Sequence, residues 1–258
     1  MSSTTQQPQL SLIMPCYNEE TVVGYTIPRL LAAFETAGHR LQLVAVDNGS
    51  QDRTGEIIMG FAERHAGVLY HRVEHNEGYG NGVLSGIPLA TAPYVGFVPA
   101  DGQVDAEDVV RLYDALVIAE PNTLGKVRRR FRMDGWKRKL VSIGYNILVR
   151  MLWPRLLSID INGTPKIIRA EMLTAMALSS KGWFLDPEIM IKAHWMDVRV
   201  LELNVFARMR GNGLSHVRPE TCWEFFRNLL HYRFSRELVQ WREEIKKTPL
   251  KVRVAATS

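Results

Sequence analysis

The chain has 258 residues, 46% of them hydrophobic and 23% charged, with a formal net charge of +5. That apolar fraction excludes global disorder, and two cysteines, Cys16 and Cys222, cannot staple a chain of this size, so a disulfide scaffold is excluded as well. The length suits one compact domain, with or without a helical appendage.

Met1 to Leu10 is polar, without the basic start and apolar run of a secretory leader. Leu10 to Met14 is a short apolar run that stops at Pro15 and reads as a buried strand. A helical stretch from about Glu19 to Thr36 ends at Gly38. Leu41 to Val46 is a second strand, and Asp47-Asn-Gly-Ser50 follows it. Asp52-Arg-Thr54 opens the next helix, Val68 to Val73 is a third strand, Gly82 to Ala90 a helix and Tyr94 to Val98 a fourth strand. The uncharged stretch Gly78 to Ala100 has the length of a membrane span, but its glycines and prolines break it into turn, helix, turn and strand. Repeated strand–helix units predict an α/β fold with a mainly parallel sheet covered on both faces, and ligands in such sheets bind beyond the strand C-termini. The polar segments Asn18-Glu19, Asp47 to Ser50, Asn76-Glu-Gly78 and Asp101-Gly-Gln103 each follow a strand, so they are expected to converge on one sheet edge.

Charge is unevenly spread. Between Leu124 and Arg155 there are ten Lys/Arg and one acid, Asp134, so this tract carries +9 and the rest of the chain is net acidic. The run Leu140 to Trp153 is apolar at near-helical spacing. Two readings stand for it: a helix lying on an anionic membrane surface, or a core helix beside a solvated basic loop. Its aromatics follow an amphipathic pattern rather than a stacking platform, which argues against nucleic acid as a partner. Trp183 to Glu188 leads into a helix to about Trp195, Val198 to Val205 is a strand, and Thr221 to Lys247 reads as one or two amphipathic helices.

Met14-Pro-Cys-Tyr-Asn-Glu19, Val46-Asp-Asn-Gly-Ser-Gln-Asp-Arg-Thr54, Asn76-Glu-Gly-Tyr-Gly-Asn-Gly82 and Ala100-Asp-Gly-Gln103 together resemble glycosyltransferase family 2, in its dolichol- or polyprenol-phosphate mannose synthase-like branch. Arg138 to Ser142, Asp160-Ile-Asn-Gly163, Phe184 to Glu188 and Arg210 to Ser215 extend the resemblance. It implies a GT-A (Rossmann-like) domain over residues 9–218, with 219–258 as a C-terminal helical extension. It also implies an inverting, metal-dependent transfer of a hexose from a nucleotide sugar to polyprenyl phosphate, at the cytoplasmic face of the membrane and peripheral to it. A membrane-anchoring subunit or self-association is a further expected partner. Two alternatives remain open: a sugar hydroxyl as acceptor, and a non-catalytic nucleotide-binding subunit.

The resemblance assigns roles residue by residue. Pro15, Tyr17, Glu19, Asp47, Asn76, Gly80, Asp101, Arg210 and Ser215 would bind the donor. Asp101 and Gln103 would hold Mg²⁺ or Mn²⁺, a hard cation that takes oxygen ligands. Arg128, Arg138 and Ser142 would hold phosphates. Asp186, with Glu188 as a second candidate, would act as base toward a hydroxyl acceptor. Relatives usually carry Asp-Xaa-Asp where this chain has Pro99-Ala100-Asp101, and a second Asp where it has Asn48, so the first acid of the metal motif is missing.

Overall fold

The computed structural model describes residues 7–129, 144, 147–154, 156, 160–206 and 227–247. A seven-stranded sheet is built from β1 (Leu10–Cys16), β2 (Leu41–Asn48), β3 (Val68–Val73), β4 (Tyr94–Phe97), β5 (Thr123–Arg129), β6 (Lys166–Arg169) and β7 (Arg199–Val205), in the order β3-β2-β1-β4-β6-β5-β7. The pairs β1–β2, β1–β4, β2–β3 and β5–β7 are parallel, and only β6 runs against its neighbours. The C-termini of the other strands and the start of β6 therefore share one edge.

Helices α1 (Glu20–Thr36), α2 (Thr54–Arg64) and α4 (Ala106–Val117) cover one face, over Leu12, Met14, Leu43, Ala45, Val127 and Ile167. The other face carries Ile13, Val44, Val46, Phe97, Leu124 and Ile168, beneath α3 (Tyr79–Gly86), α5 (Ala170–Met176) and α6 (Leu185–Trp195). Alternation along each strand, with side chains of period two, supplies both faces at once. Pro15 fits inside β1 because β4 pairs only with Leu10 to Ile13, so its missing N–H falls past the end of that partner.

The first four strands lie where the sequence predicts them. The helix expected over Gly82 to Ala90 starts earlier, at Tyr79, and ends at Gly86, with a 3₁₀ turn over Ile87–Leu89 around Pro88, which cannot donate to a helix. Sequence reading missed α4, β6 and α5. It also counted Lys126 and Arg128 simply as the start of the +9 tract, whereas Thr123–Arg129 is an inner strand and Lys126 is wholly buried. In the apolar run that follows, residues 147–152 are helical. Val149 and Trp153 enter the core while Ile147 and Met151 face outward, so the core reading holds for one face. The C-terminal segment joins the same core through Leu229, Tyr232, Leu238 and Trp241, and α7 (Arg236–Lys247) is tied down by Trp241 Nε1 donating to the Ala175 carbonyl at 3.0 Å.

Candidate active site

The loops after β1 and β2 are fastened together. Asn18, at φ 53°, donates its N–H to Ser50 Oγ at 3.1 Å and accepts from Gln51 N–H at 2.9 Å. Glu19 N–H reaches Thr54 Oγ1 at 2.8 Å, Glu20 N–H donates to Asp52 Oδ2 at 3.1 Å, and Glu20 Oε2 accepts the Arg53 N–H at 3.0 Å across the same seam. Tyr17 is exposed on the rim, while Pro15 and Glu19 are half-buried.

Asp47 is the penultimate residue of β2, and its carboxylate is fully enclosed. Oδ1 accepts the Ser50 N–H at 2.9 Å; Oδ2 takes Arg72 Nη1 at 3.2 Å and the Tyr70 hydroxyl at 3.5 Å. The ion pair with Arg72 from β3 offsets the cost of burying this charge. Gly55 is required beside it, since a Cβ there would lie 2.6 Å from Oδ2. Below these loops, burial, followed by the charges of Glu19 and Asp47, pushes the Cys16 thiol well above its ordinary value, so it is an inert packing residue.

Asn48 turns the other way. Its Nδ2 donates to the Gly78 carbonyl at 3.0 Å and to Asn76 Oδ1 at 3.3 Å, which fixes the loop after β3 against β2. An Asp here could not make either donation, which is a physical consequence of the replacement noted above. Its Oδ1 is buried and has no hydrogen-bond partner among the described residues.

Gly80 is buried, and its Cβ side faces the segment 179–183. A Cβ there would come within 2.1 Å of the Ser180 carbonyl, and the neighbouring Asn81 N–H donates to the Lys181 carbonyl at 2.7 Å. The segment 179–183 thus lies across the start of α3, with Trp183 stacked on Tyr79 at a centroid distance of 5.2 Å and Lys181 paired with Glu77. Glu188 holds this segment. It accepts the N–H groups of Ser179 and Ser180 and pairs with Lys192 at 2.7 Å, wholly out of contact with solvent.

Asp101 and Gln103 lie on the loop after β4. Asp101 Oδ1 accepts the Gln103 N–H at 3.1 Å around Gly102, at φ 63°, and Thr26 Oγ1 anchors the loop through the Ala100 carbonyl at 2.9 Å. One carboxylate and one amide oxygen suit a hard cation that completes its shell with diphosphate oxygens and water. Among the described residues, no group of three or more His, Cys, Asp or Glu could hold a metal by itself.

On the far half of the edge, Asp186 in the first turn of α6 is ion-paired with Lys166 at the start of β6, and both are buried. Lys126 on β5 contacts the Asp160 carbonyl and, at 3.1 Å, Glu202. Burial and then the Lys166 charge lower the Lys126 ammonium to about 8, against the opposing pull of Glu202 and Asp160. Arg128 is half-buried two residues further along β5, on the same face. Sequence reading missed Lys126 and Lys166 as site-forming residues; a lysine alternating with Leu124 on an apolar strand was the available signal. Arg138, Ser142, Arg210 and Ser215 lie outside the described residues.

Residues 11–177 match the model of the glycosyl transferase family 2 family. An uncharacterized glycosyltransferase of Mycobacterium tuberculosis is 30% identical over 209 residues, covering 81% of this chain and 89% of its own. Dolichyl-phosphate beta-glucosyltransferase of Trichomonas vaginalis is 25% identical over 219 residues, and this chain spans 65% of its length. Undecaprenyl-phosphate 4-deoxy-4-formamido-L-arabinose transferase of Edwardsiella ictaluri is 27% identical over 168 residues, with about half of its length, 51%, matched. Among solved structures, glucosyl-3-phosphoglycerate synthase of Mycobacterium tuberculosis with Mn²⁺, UDP-glucose and phosphoglyceric acid superposes at a TM-score of 0.67 with 16% identity, over 92% of this chain and 80% of that one. The fold is therefore GT-A, and the chain belongs to glycosyl transferase family 2.

Proposed function

We propose that this protein transfers a hexose from a nucleotide sugar, with inversion, to a polyprenyl phosphate at the cytoplasmic face of a membrane. The observation that carries this reading is the commitment of the acceptor-side acids. Asp186 is ion-paired with Lys166, and Glu188 is enclosed between Lys192, Ser179 and Ser180. A hydroxyl acceptor needs a carboxylate within reach to take its proton, and the oxygens of both candidates are already engaged by buried lysines and backbone N–H groups. A lipid monophosphate is anionic at neutral pH and attacks without one. The names of the Trichomonas and Edwardsiella relatives support the same acceptor class.

On the donor side, the Asp47 carboxylate and the loop it holds would orient the nucleobase, between Pro15, Tyr17 and Glu19. Asp101 and Gln103 would hold the divalent cation, as the donor set allows. Bound there, it supplies charge neutralisation for the departing diphosphate. Arg128, with Arg138 and Ser142, would hold phosphate oxygens, and a guanidinium does so bidentately without losing its charge. Arg210 and Ser215 would close over the donor phosphates.

Among the described residues no helix is long and apolar enough to cross a membrane. Support for contact with an anionic bilayer comes from Met151 and Ile147, which face outward, and from Phe234 and Leu230 on the adjacent segment. Arg233 joins the two by donating to the Leu152 carbonyl at 3.3 Å. Basic and apolar side chains side by side suit such a surface.

The test is a panel of GDP-mannose, UDP-glucose and UDP-GlcNAc with polyprenyl phosphate and Mg²⁺ or Mn²⁺, read as nucleoside diphosphate release and as the anomeric configuration of the product. Release that requires both lipid and metal, with an inverted product, is expected. Release only with soluble glycan acceptors would overturn the reading.

A further inference from the structure

Lys126 and Lys166 are register partners on the adjacent strands β5 and β6, so their side chains leave the same face of the sheet. Their fractional exposures are 0% and 1%. An aliphatic residue would fill either place without the cost of desolvating an ammonium, and two like charges side by side raise that cost further. Each lysine instead reaches a different element at this end of the sheet. Lys166 donates to the carboxylate of Asp186 at the start of α6. Lys126 donates to the backbone carbonyl of Asp160, the same carbonyl that takes the Gly163 N–H at 2.9 Å.

The turn 160–163 is held to β5 at a second point. Gly163 packs so closely on the strand that a Cβ there would lie 2.1 Å from the Val127 carbonyl. Arg128 follows on the same face, one step nearer the strand's C-terminal end. Turn, α6 start and Arg128 are thus all referenced to one pair of strands through two ammonium groups.

We infer that Lys126 and Lys166 are positioning residues for the acceptor, Lys126 by fixing the turn 160–163 and Lys166 by fixing Asp186. The inference rests on the lipid-phosphate reading above and adds residues that reading does not use. Among the described residues, the charged groups facing Lys126 include Lys166 from β6, Glu202 from β7 and Asp160 from the turn, with Asp186 from α6 behind Lys166. Lys126 is placed to lose its proton in mildly alkaline solution, because burial and the Lys166 charge both act against its ammonium. Loss of that proton removes the charge that grips the Asp160 carbonyl and Glu202. Acceptor affinity should then fall while nucleotide binding, set by β1 to β3, stays as it was.

The experiment measures KM for polyprenyl phosphate and Kd for the nucleoside diphosphate, with the full chain, between about pH 7 and 9.5, where the acceptor's own charge no longer changes. In the unaltered chain, acceptor KM is expected to rise about tenfold across that window, with Kd unmoved. Lys126→Arg, which stays charged, should flatten the rise, and Lys126→Met should show the high KM already at pH 7. A flat acceptor KM in the unaltered chain, a rise that persists in Lys126→Arg, or a parallel loss of nucleotide binding overturns the inference. Should Lys126→Met fail to fold, the profiles of the unaltered chain and Lys126→Arg still decide. Absence of any transfer to lipid phosphate by the unaltered chain overturns the acceptor reading, and this inference with it.

Discussion

The ammonium of Lys166 meets the carboxylate of Asp186 across twenty residues of sequence, and both lie buried at the edge of the sheet. A pair so enclosed is costly to break from one side, because the remaining charge has nowhere to go. Asp186→Asn is therefore expected to lower stability by about 3 kcal/mol. The turnover of the folded fraction at saturating lipid should stay within about tenfold of the unaltered chain. Denaturant unfolding and kcat per folded molecule check this together. A loss of three or more orders of magnitude in kcat, with stability intact, would make Asp186 the base for a hydroxyl acceptor.

Asp101 is the sole carboxylate in the Pro99-Ala100-Asp101-Gly102-Gln103 loop, so cation affinity there depends on it heavily. Asp101→Ala should reduce metal-dependent diphosphate release by about a hundredfold or more. Nucleotide binding in the absence of metal should persist, since Asp47 and its loop are untouched. Calorimetry with and without Mn²⁺ separates the two effects. Unchanged release would move the metal away from this loop.

Gly80 carries a structural prediction of a different kind. Its Cβ position is 2.1 Å from a backbone carbonyl that Glu188 and Lys181 hold in place, so neither side can yield easily. Gly80→Ala is expected to destabilise by about 3 kcal/mol. Gly182→Ala has nothing within 4 Å of its Cβ and serves as the control. Equal unfolding midpoints for the two variants would contradict the close approach of segment 179–183 to α3.

Lys126 also links stability to pH. Its ammonium sits at about 8 in the folded chain against an ordinary value of 10.5, so between those two values the unfolded chain binds more protons. Stability contributed by this group must therefore rise with pH across that window, and below it the penalty for the charged form is fully present. Urea unfolding at pH 8 and at pH 10 should show this rise in the unaltered chain. In Lys126→Met it should be missing. An identical pH dependence in both would place the proton elsewhere.

Much of the proposed donor half was legible locally. Asp47, Asn76 and Asp101 each follow an apolar run of strand length, and in a parallel sheet such positions are forced to a common edge. The glycines beside them mark turns that only a few backbone conformations allow. Gly80 shows where this reading stops, since a glycine in a polar loop looks the same whether it faces a phosphate or the carbonyl of Ser180. The Tyr79–Trp183 stack and the hold of Glu188 on Ser179 and Ser180 had no local signature at all.

Periodicity and turn chemistry, which act between near neighbours, determined the first strand–helix units, their order and the polar ends that form the proposed donor side. The sheet order beyond β4, with β6 reversed between β4 and β5, was decided only by the tertiary structure. So was the fate of each buried charge. Lys126 finds Glu202 from 76 residues away, and Lys166 finds Asp186. A lysine's burial is tolerable only with a partner, and strand pairing over long separations, not local propensity, chooses which carboxylate that partner is.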